Sequence, residues 1–172
     1  MDEKPLVIIY EKYHQKVFLY LYSLCHDEDL AEDLTQETFL KALLSLKNDH
    51  VNIRAWLYMV ARNLFYDHYR KRKREMPVNE VREVLEKVQT ENGSTAEGPL
   101  DQLLVKEKQL IMLKALTELP KQQCEVLMLQ YFGGLSQREI AAVVGVSPEN
   151  VRVLAYRGKR NLRKRMEDED DI

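Results

Sequence analysis

The chain has 172 residues, with 26 Lys and Arg against 28 Asp and Glu, 45% hydrophobic residues, and only 6 Gly and 5 Pro. That composition belongs to a globular chain, and the shortage of turn residues favours helices over a many-stranded sheet. No apolar run approaches the roughly 18 residues of a membrane span, the acidic start is not a signal peptide, and Cys25 and Cys124 read as reduced core thiols of a cytoplasmic protein, which excludes a secreted, membrane-inserted or disulfide-stapled chain.

From Ile8 to about Glu75 the apolar spacing is helical almost throughout, with breaks near His26-Asp27 and around residues 48–52. Asp27 to Leu46 predicts one amphipathic helix that buries Leu30, Ala31, Leu34, Phe39, Ala42 and Leu43. Asp29, Glu32, Asp33, Gln36 and Glu37 fall at i, i+3, i+4, i+7 and i+8 of that helix, which makes one acidic stripe. Like charges at this spacing repel by a few tenths of a kcal/mol per pair. The stripe suits a basic partner, although its early members also match the positive end of the helix dipole.

The next helix runs from about Ile53 to Lys73 and turns Ile53, Trp56, Leu57, Val60, Ala61, Leu64 and Phe65 toward the core. Its opposite face carries Arg54, Tyr58, Arg62, Asn63, Tyr66, Tyr69 and Arg70, and it ends in the basic run Arg70 to Arg74. Cations interleaved with aromatic rings are what a single-stranded nucleic acid needs: charge for its backbone and flat faces for unstacked bases. From Met76 to about Asp101 the apolar content falls and Thr90 to Pro99 supplies turn residues, so this stretch reads as an acidic linker. Within it, Val78, Val81, Leu85 and Val88 fit one short amphipathic helix.

Helical periodicity resumes from Gln102 to Met166, punctuated at Pro120, Gly133-Gly134 and Gly145. Ser136 and Glu139 form the signature of a capping box. Gly145 suits a tight turn, and Ser147-Pro148 opens a further helix. Ala141, Gly145 and Val151 have the spacing of a helix-turn-helix: a small residue at the helix contact, a turn glycine, and a β-branched core residue. Val151, Leu154, Ala155, Gly158 and Leu162 face the domain, and Arg152, Val153, Tyr156, Arg157, Arg160, Arg163 and Lys164 take the other side. Such a face suits the major groove, with Arg152 and Arg157 placed for bidentate contact with guanine. Residues 152–165 hold seven basic residues and no acidic one, and Glu167 to Asp171 close the chain in acid.

Taken in order, "DLAEDLTQETFLKAL", "RAWLYMVARNLFYDHYRKRKR" and "LPKQQCEVLMLQYFGGLSQREIAAVVGVSPENVRVLAYRGKRNLRK" resemble the extracytoplasmic-function (ECF) sigma factors of bacterial RNA polymerase. The resemblance implies an all-α fold of two small helical domains joined by a flexible linker, the C-terminal one a helix-turn-helix. On it, residues 1–75 bind core polymerase and the promoter −10 element, 76–104 form the linker, 105–166 bind the −35 element, and 167–172 are an acidic tail. It assigns Asp29, Glu32, Asp33, Gln36 and Glu37 to the β′ clamp helices of the polymerase. It assigns Asn48, Arg54, Tyr58, Arg62, Asn63, Tyr66 and Arg70 to −10 DNA, and Arg138, Asn150, Arg152, Val153, Tyr156, Arg157 and Arg160 to −35 DNA. The loop "NDHVNIRAW" departs from the Gly/Ser-rich, Phe-containing form common in the family, and Val153 stands where a polar residue is usual.

The partners implied are core RNA polymerase (β′ clamp helices and β flap), promoter DNA, and an anti-sigma factor, free or membrane-anchored, with no membrane insertion of this chain itself. The sequence holds no phosphate-binding glycine loop, and His14, His26, His50 and His68 lack metal-ligand spacing. The expectation is therefore a cytoplasmic initiation factor that is no enzyme and has no catalytic residue, cofactor or metal. The rival reading is a one-component helix-turn-helix regulator, dimeric on a palindromic site and independent of polymerase.

Overall fold

The structure is a computed structural model that describes residues 4–45, 52–75 and 107–170. The described residues form seven helices and no strand: α1 (Lys4–Cys25), α2 (Glu28–Ser45), α3 (Ile53–Glu75), α4 (Glu107–Thr117), α5 (Lys121–Tyr131), α6 (Gln137–Val144) and α7 (Pro148–Asp170). Asn48 and the short helix expected over Val78 to Val88 lie outside the described residues.

The break read at His26-Asp27 is a tight corner. His26 takes the left-handed conformation at φ 54°, with its amide donating to the Tyr22 carbonyl at 2.8 Å, which ends α1. The Asp27 carboxylate then accepts from the Leu30 amide at 3.2 Å and starts α2. Folding back at this corner brings the Tyr10 ring of α1 edge-on to Phe39 of α2, centroids 5.1 Å apart. Helix α3 packs across this pair.

The buried face of α2 is rotated from the expected one. Leu43 is exposed, while Thr35 and Thr38 are buried, their hydroxyls donating to the Ala31 and Leu34 carbonyls at 2.6 and 2.7 Å. A threonine whose hydroxyl is satisfied one turn back can enter a core, so it took the place expected for Leu43. Leu40, Leu43 and Leu44 stay exposed and continue, at helical spacing, the stripe that the acidic residues begin.

In the second lobe α7 packs on α4, α5 and α6. Gly158 lets α7 press onto α5: an added Cβ would lie 3.0 Å from Leu127 Cδ1. Asn161 donates to Gln123 at 2.8 Å, and Arg165 pairs with Glu118 at 3.0 Å. The two lobes share one apolar cluster, because α3 packs on α6 and α1 on α4 and α5.

Candidate nucleic-acid interface

The helix-turn-helix is built as its local chemistry dictates. The Ser136 hydroxyl accepts from the Glu139 amide at 3.2 Å and the Glu139 carboxylate accepts from the Ser136 amide at 2.9 Å, a complete capping box on α6. Gly145 closes α6 at φ 80°, in the left-handed region that favours glycine, and its amide donates to the Ala141 carbonyl at 2.9 Å. The Ser147 hydroxyl accepts from the Asn150 amide at 3.2 Å as α7 begins. Val151 and Ala155 are buried against the lobe, while Asn150, Arg152, Val153, Tyr156, Arg157 and Arg160 are all exposed on α7 and Arg138 is exposed on α6. Tyr156 is 69% exposed, an uncommon state for so large a ring and one suited to a contact surface. The acidic stripe is equally open, with Asp29, Glu32, Asp33, Gln36 and Glu37 all exposed on α2.

The face of α3 is different. Arg54, Tyr58, Arg62 and Tyr66 lie at i, i+4, i+8 and i+12, a single stripe, and the second lobe covers it. Glu125 of α5 is fully buried and faces Arg62. Arg62 Nε donates to Glu125 Oε1 at 3.3 Å and Arg62 Nη2 to Oε2 at 3.5 Å, and the Tyr66 hydroxyl donates to Oε1 at 3.1 Å. Burial works to lower the affinity of the Arg62 guanidinium for its proton, but the Glu125 carboxylate outweighs it and raises that affinity. The Tyr66 phenol is pushed up to about 12 by burial and by the same carboxylate. The Lys121 ammonium, at the start of α5, stands 4.5 Å over the Tyr66 ring and 5.2 and 5.3 Å over Phe65 and Tyr69.

At the other end of the stripe, Asn52 donates to Glu139 Oε2 at 2.5 Å, so the carboxylate that caps α6 also ties the lobes. Hydrogen bonds from the Ser136 amide and then from Asn52 hold that carboxyl below its ordinary value of 4.5.

The expected −10 set is thus divided. Asn63 and Arg70 are exposed, the latter paired with Asp67 at 2.5 Å. Arg54, Arg62 and Tyr66 are half-buried at the junction. Tyr58, expected on an open face, is 1% exposed, its ring edge-on to Tyr20 at 5.5 Å and close beneath Gly133. Any side chain at Gly133 would press on Tyr58 and on the Leu129 carbonyl, its Cβ 2.6 Å from that oxygen. Glu125, Lys121 and Asn52 were not among the expected site residues. Glu125 carried one signal, as the sole charge in the apolar stretch Cys124 to Tyr131, and such an acid needs a buried partner.

Residues 9–75 match the family model of sigma-70 region 2, and residues 109–162 match that of sigma-70 region 4. The chain is 31% identical over 156 residues to the ECF RNA polymerase sigma factor SigM of Bacillus subtilis, covering 90% of this chain and 91% of that one. Among solved structures it is similar to the sigma factor RpoE of Bartonella quintana, solved in complex with the anti-sigma factor NepR. There the TM-score is 0.72 at 28% identity, over 95% of this chain and 98% of that one. The fold is also that of CnrH, solved with the cytosolic domain of CnrY, at a TM-score of 0.62, 22% identity, and 97% and 90% coverage.

Proposed function

The chain belongs to the ECF sigma factors and so directs promoter recognition and transcription initiation, and we propose that it divides this work among three surfaces. The acidic stripe Asp29, Glu32, Asp33, Gln36 and Glu37 docks on the β′ clamp helices of core polymerase, and the second lobe seats at the β flap. Arg138, Asn150, Arg152, Val153, Tyr156, Arg157 and Arg160 read duplex −35 DNA, the arginines contacting base edges and the later cations holding phosphates. Arg54, Arg62, Asn63, Tyr66 and Arg70, with Asn48, hold the melted −10 strand. Tyr58 is left out of that set, because its ring is committed to packing on Tyr20.

The domain limits follow: 1–75, a linker over 76–104, 105–166, and a tail over 167–172. Capturing an unstacked base offsets an unstacking cost of a few kcal/mol through binding energy, so the chain acts without catalysis of its own. It works in the cytoplasm, beside the polymerase. An anti-sigma factor restrains it, a reading supported by the likeness to RpoE, whose structure was solved with one.

The observation that carries the assignment is the capped, glycine-turned helix-turn-helix within the region 4 match, its basic face exposed on α7 from Arg152 to Arg160. Run-off transcription with purified core polymerase on a genomic promoter library tests it. Specific starts should arise only when the chain is added. Tight dimeric binding to a palindromic duplex without polymerase would replace this reading with that of a one-component regulator.

A further inference from the structure

The cations and ring that stand ready for the −10 strand are occupied from within. Arg62 and Tyr66 both spend their donors on Glu125, a carboxylate contributed by the other lobe and sealed from solvent. The chemistry is that of a phosphate contact: a guanidinium fork and a phenol hydroxyl on an anionic oxygen pair. We propose that Glu125 is an internal stand-in for DNA phosphate, which holds the free chain closed on its own −10 surface until core polymerase draws the lobes apart. This rests on the assignment of Arg62 and Tyr66 to −10 DNA.

Three features support it. The charged and aromatic ties between the lobes among the described residues gather on α3 or on Asn52 just before it: Glu125 to Arg62 and Tyr66, Lys121 to the rings, Glu139 to Asn52, with one further side-chain bond between Ser23 of α1 and Cys124 of α5. The seam is also imperfect. Tyr20 Oη, Tyr58 Oη and Arg54 Nε are buried there with no partner, so opening returns three polar groups to water. Finally, both carboxylate oxygens of Glu125 take hydrogen bonds from the first lobe, from Arg62 and Tyr66.

Two mutually exclusive occupants of one guanidinium make a competition, and competition can be read directly. Donor and acceptor dyes on Lys41→Cys of α2 and Lys164→Cys of α7, both exposed, report closure by energy transfer. Burial pushes the native Cys25 and Cys124 thiols up to about 12, and each variant labelled without the two introduced cysteines gives the background that they contribute. In the full chain without polymerase, Glu125→Gln should lower the transfer, keep the helical circular dichroism, and bind a −10-type single-stranded oligonucleotide about tenfold more tightly, since the binding-competent fraction rises. Tyr66→Phe, which removes one donor to Glu125, should lower the transfer by a smaller step, and it keeps the question answerable if Glu125→Gln impairs folding. Arg62→Gln should lower the transfer as Glu125→Gln does, with no gain in oligonucleotide binding.

Unchanged transfer in both Glu125→Gln and Tyr66→Phe would overturn the lock. Opening by Glu125→Gln with no gain in oligonucleotide binding would overturn the masking. Arg62→Gln holoenzyme melting promoters as the wild type does would instead overturn the −10 assignment of Arg62, and the transfer measurements would still judge the closure by themselves.

Discussion

Helices α3 and α7 invite comparison. Each has 23 residues and each sets arginines beside tyrosine on one side; away from that side α3 packs on α1 and α2, and α7 on α4, α5 and α6. Yet the polar face of α7 meets solvent while that of α3 meets another lobe. The difference lies in the partners available. Nothing in the described residues offers an anion to α7 along Arg152 to Arg160, whereas α5 brings Glu125 against α3. A polar face is therefore open only if no second core claims it. In a chain of two small lobes, each short of apolar area to bury, a second core is readily found.

The sharpest way to break the comparison is Arg62→Met. It leaves Glu125 buried without its countercharge, and losing one member of a buried pair costs about 3–5 kcal/mol. The chain escapes that cost by opening. Small-angle scattering should therefore show a larger radius of gyration with the helical signal kept, and urea unfolding should split into one transition per lobe. A single unshifted transition would mean that the pair contributes nothing to closure, and α3 would then be as free as α7.

Arg157→Ala is the matched change on the open helix, and its effect should be of another kind. No closure and no unfolding midpoint should move, since Arg157 is exposed and forms no ion pair among the described residues. The loss should appear only on DNA: about 1–3 kcal/mol if the contact is bidentate to a base. Titrating holoenzyme on a promoter with an intact −35 element and on one with that element scrambled would measure it. An equal loss on both would reduce Arg157 to a phosphate contact.

Legibility in the sequence follows the same divide. The capping box, the turn glycine and the Ser147 cap all act within four residues, so their geometry is written locally and the second lobe folds as read. The corner at His26-Asp27 was visible for the same reason. The fate of the α3 face was not, because its partner Glu125 lies 63 residues away along the chain, and helical periodicity separates polar from apolar faces without saying what the polar face meets. Tyr58 shows the limit most plainly. A phenol reads as amphipathic at an i+4 position among arginines, and only the approach of Gly133 and Tyr20 turns it inward. Leu43 failed differently, through a threonine that hides its hydroxyl in its own helix.

Glu139 is the one residue that serves both regions, and it sharpens the comparison with the smallest expected effect. One of its oxygens caps α6 in the open helix-turn-helix, and the other receives Asn52 beside the covered stripe. Ser136→Ala removes half of the capping box and should cost about 1 kcal/mol of stability, read as a lower urea midpoint for the second lobe. Asn52→Ala should leave that midpoint alone and loosen the closure, while the first lobe also loses the Asn52 oxygen that accepts from the Ala55 amide at 3.3 Å at the start of α3. Acid acts on both at once. The Glu139 carboxyl is held below 4.5 in the folded chain, so its contribution is complete above that value and is lost as pH falls through the lower folded one. Closure and the α6 cap should therefore weaken together below pH 4.5 in the wild type. In Asn52→Ala the Asn52 tie is already gone, so the α6 cap is all that Glu139 has left to lose in acid. If closure in Asn52→Ala kept the full acid sensitivity of the wild type, the Asn52–Glu139 bond would not be its source.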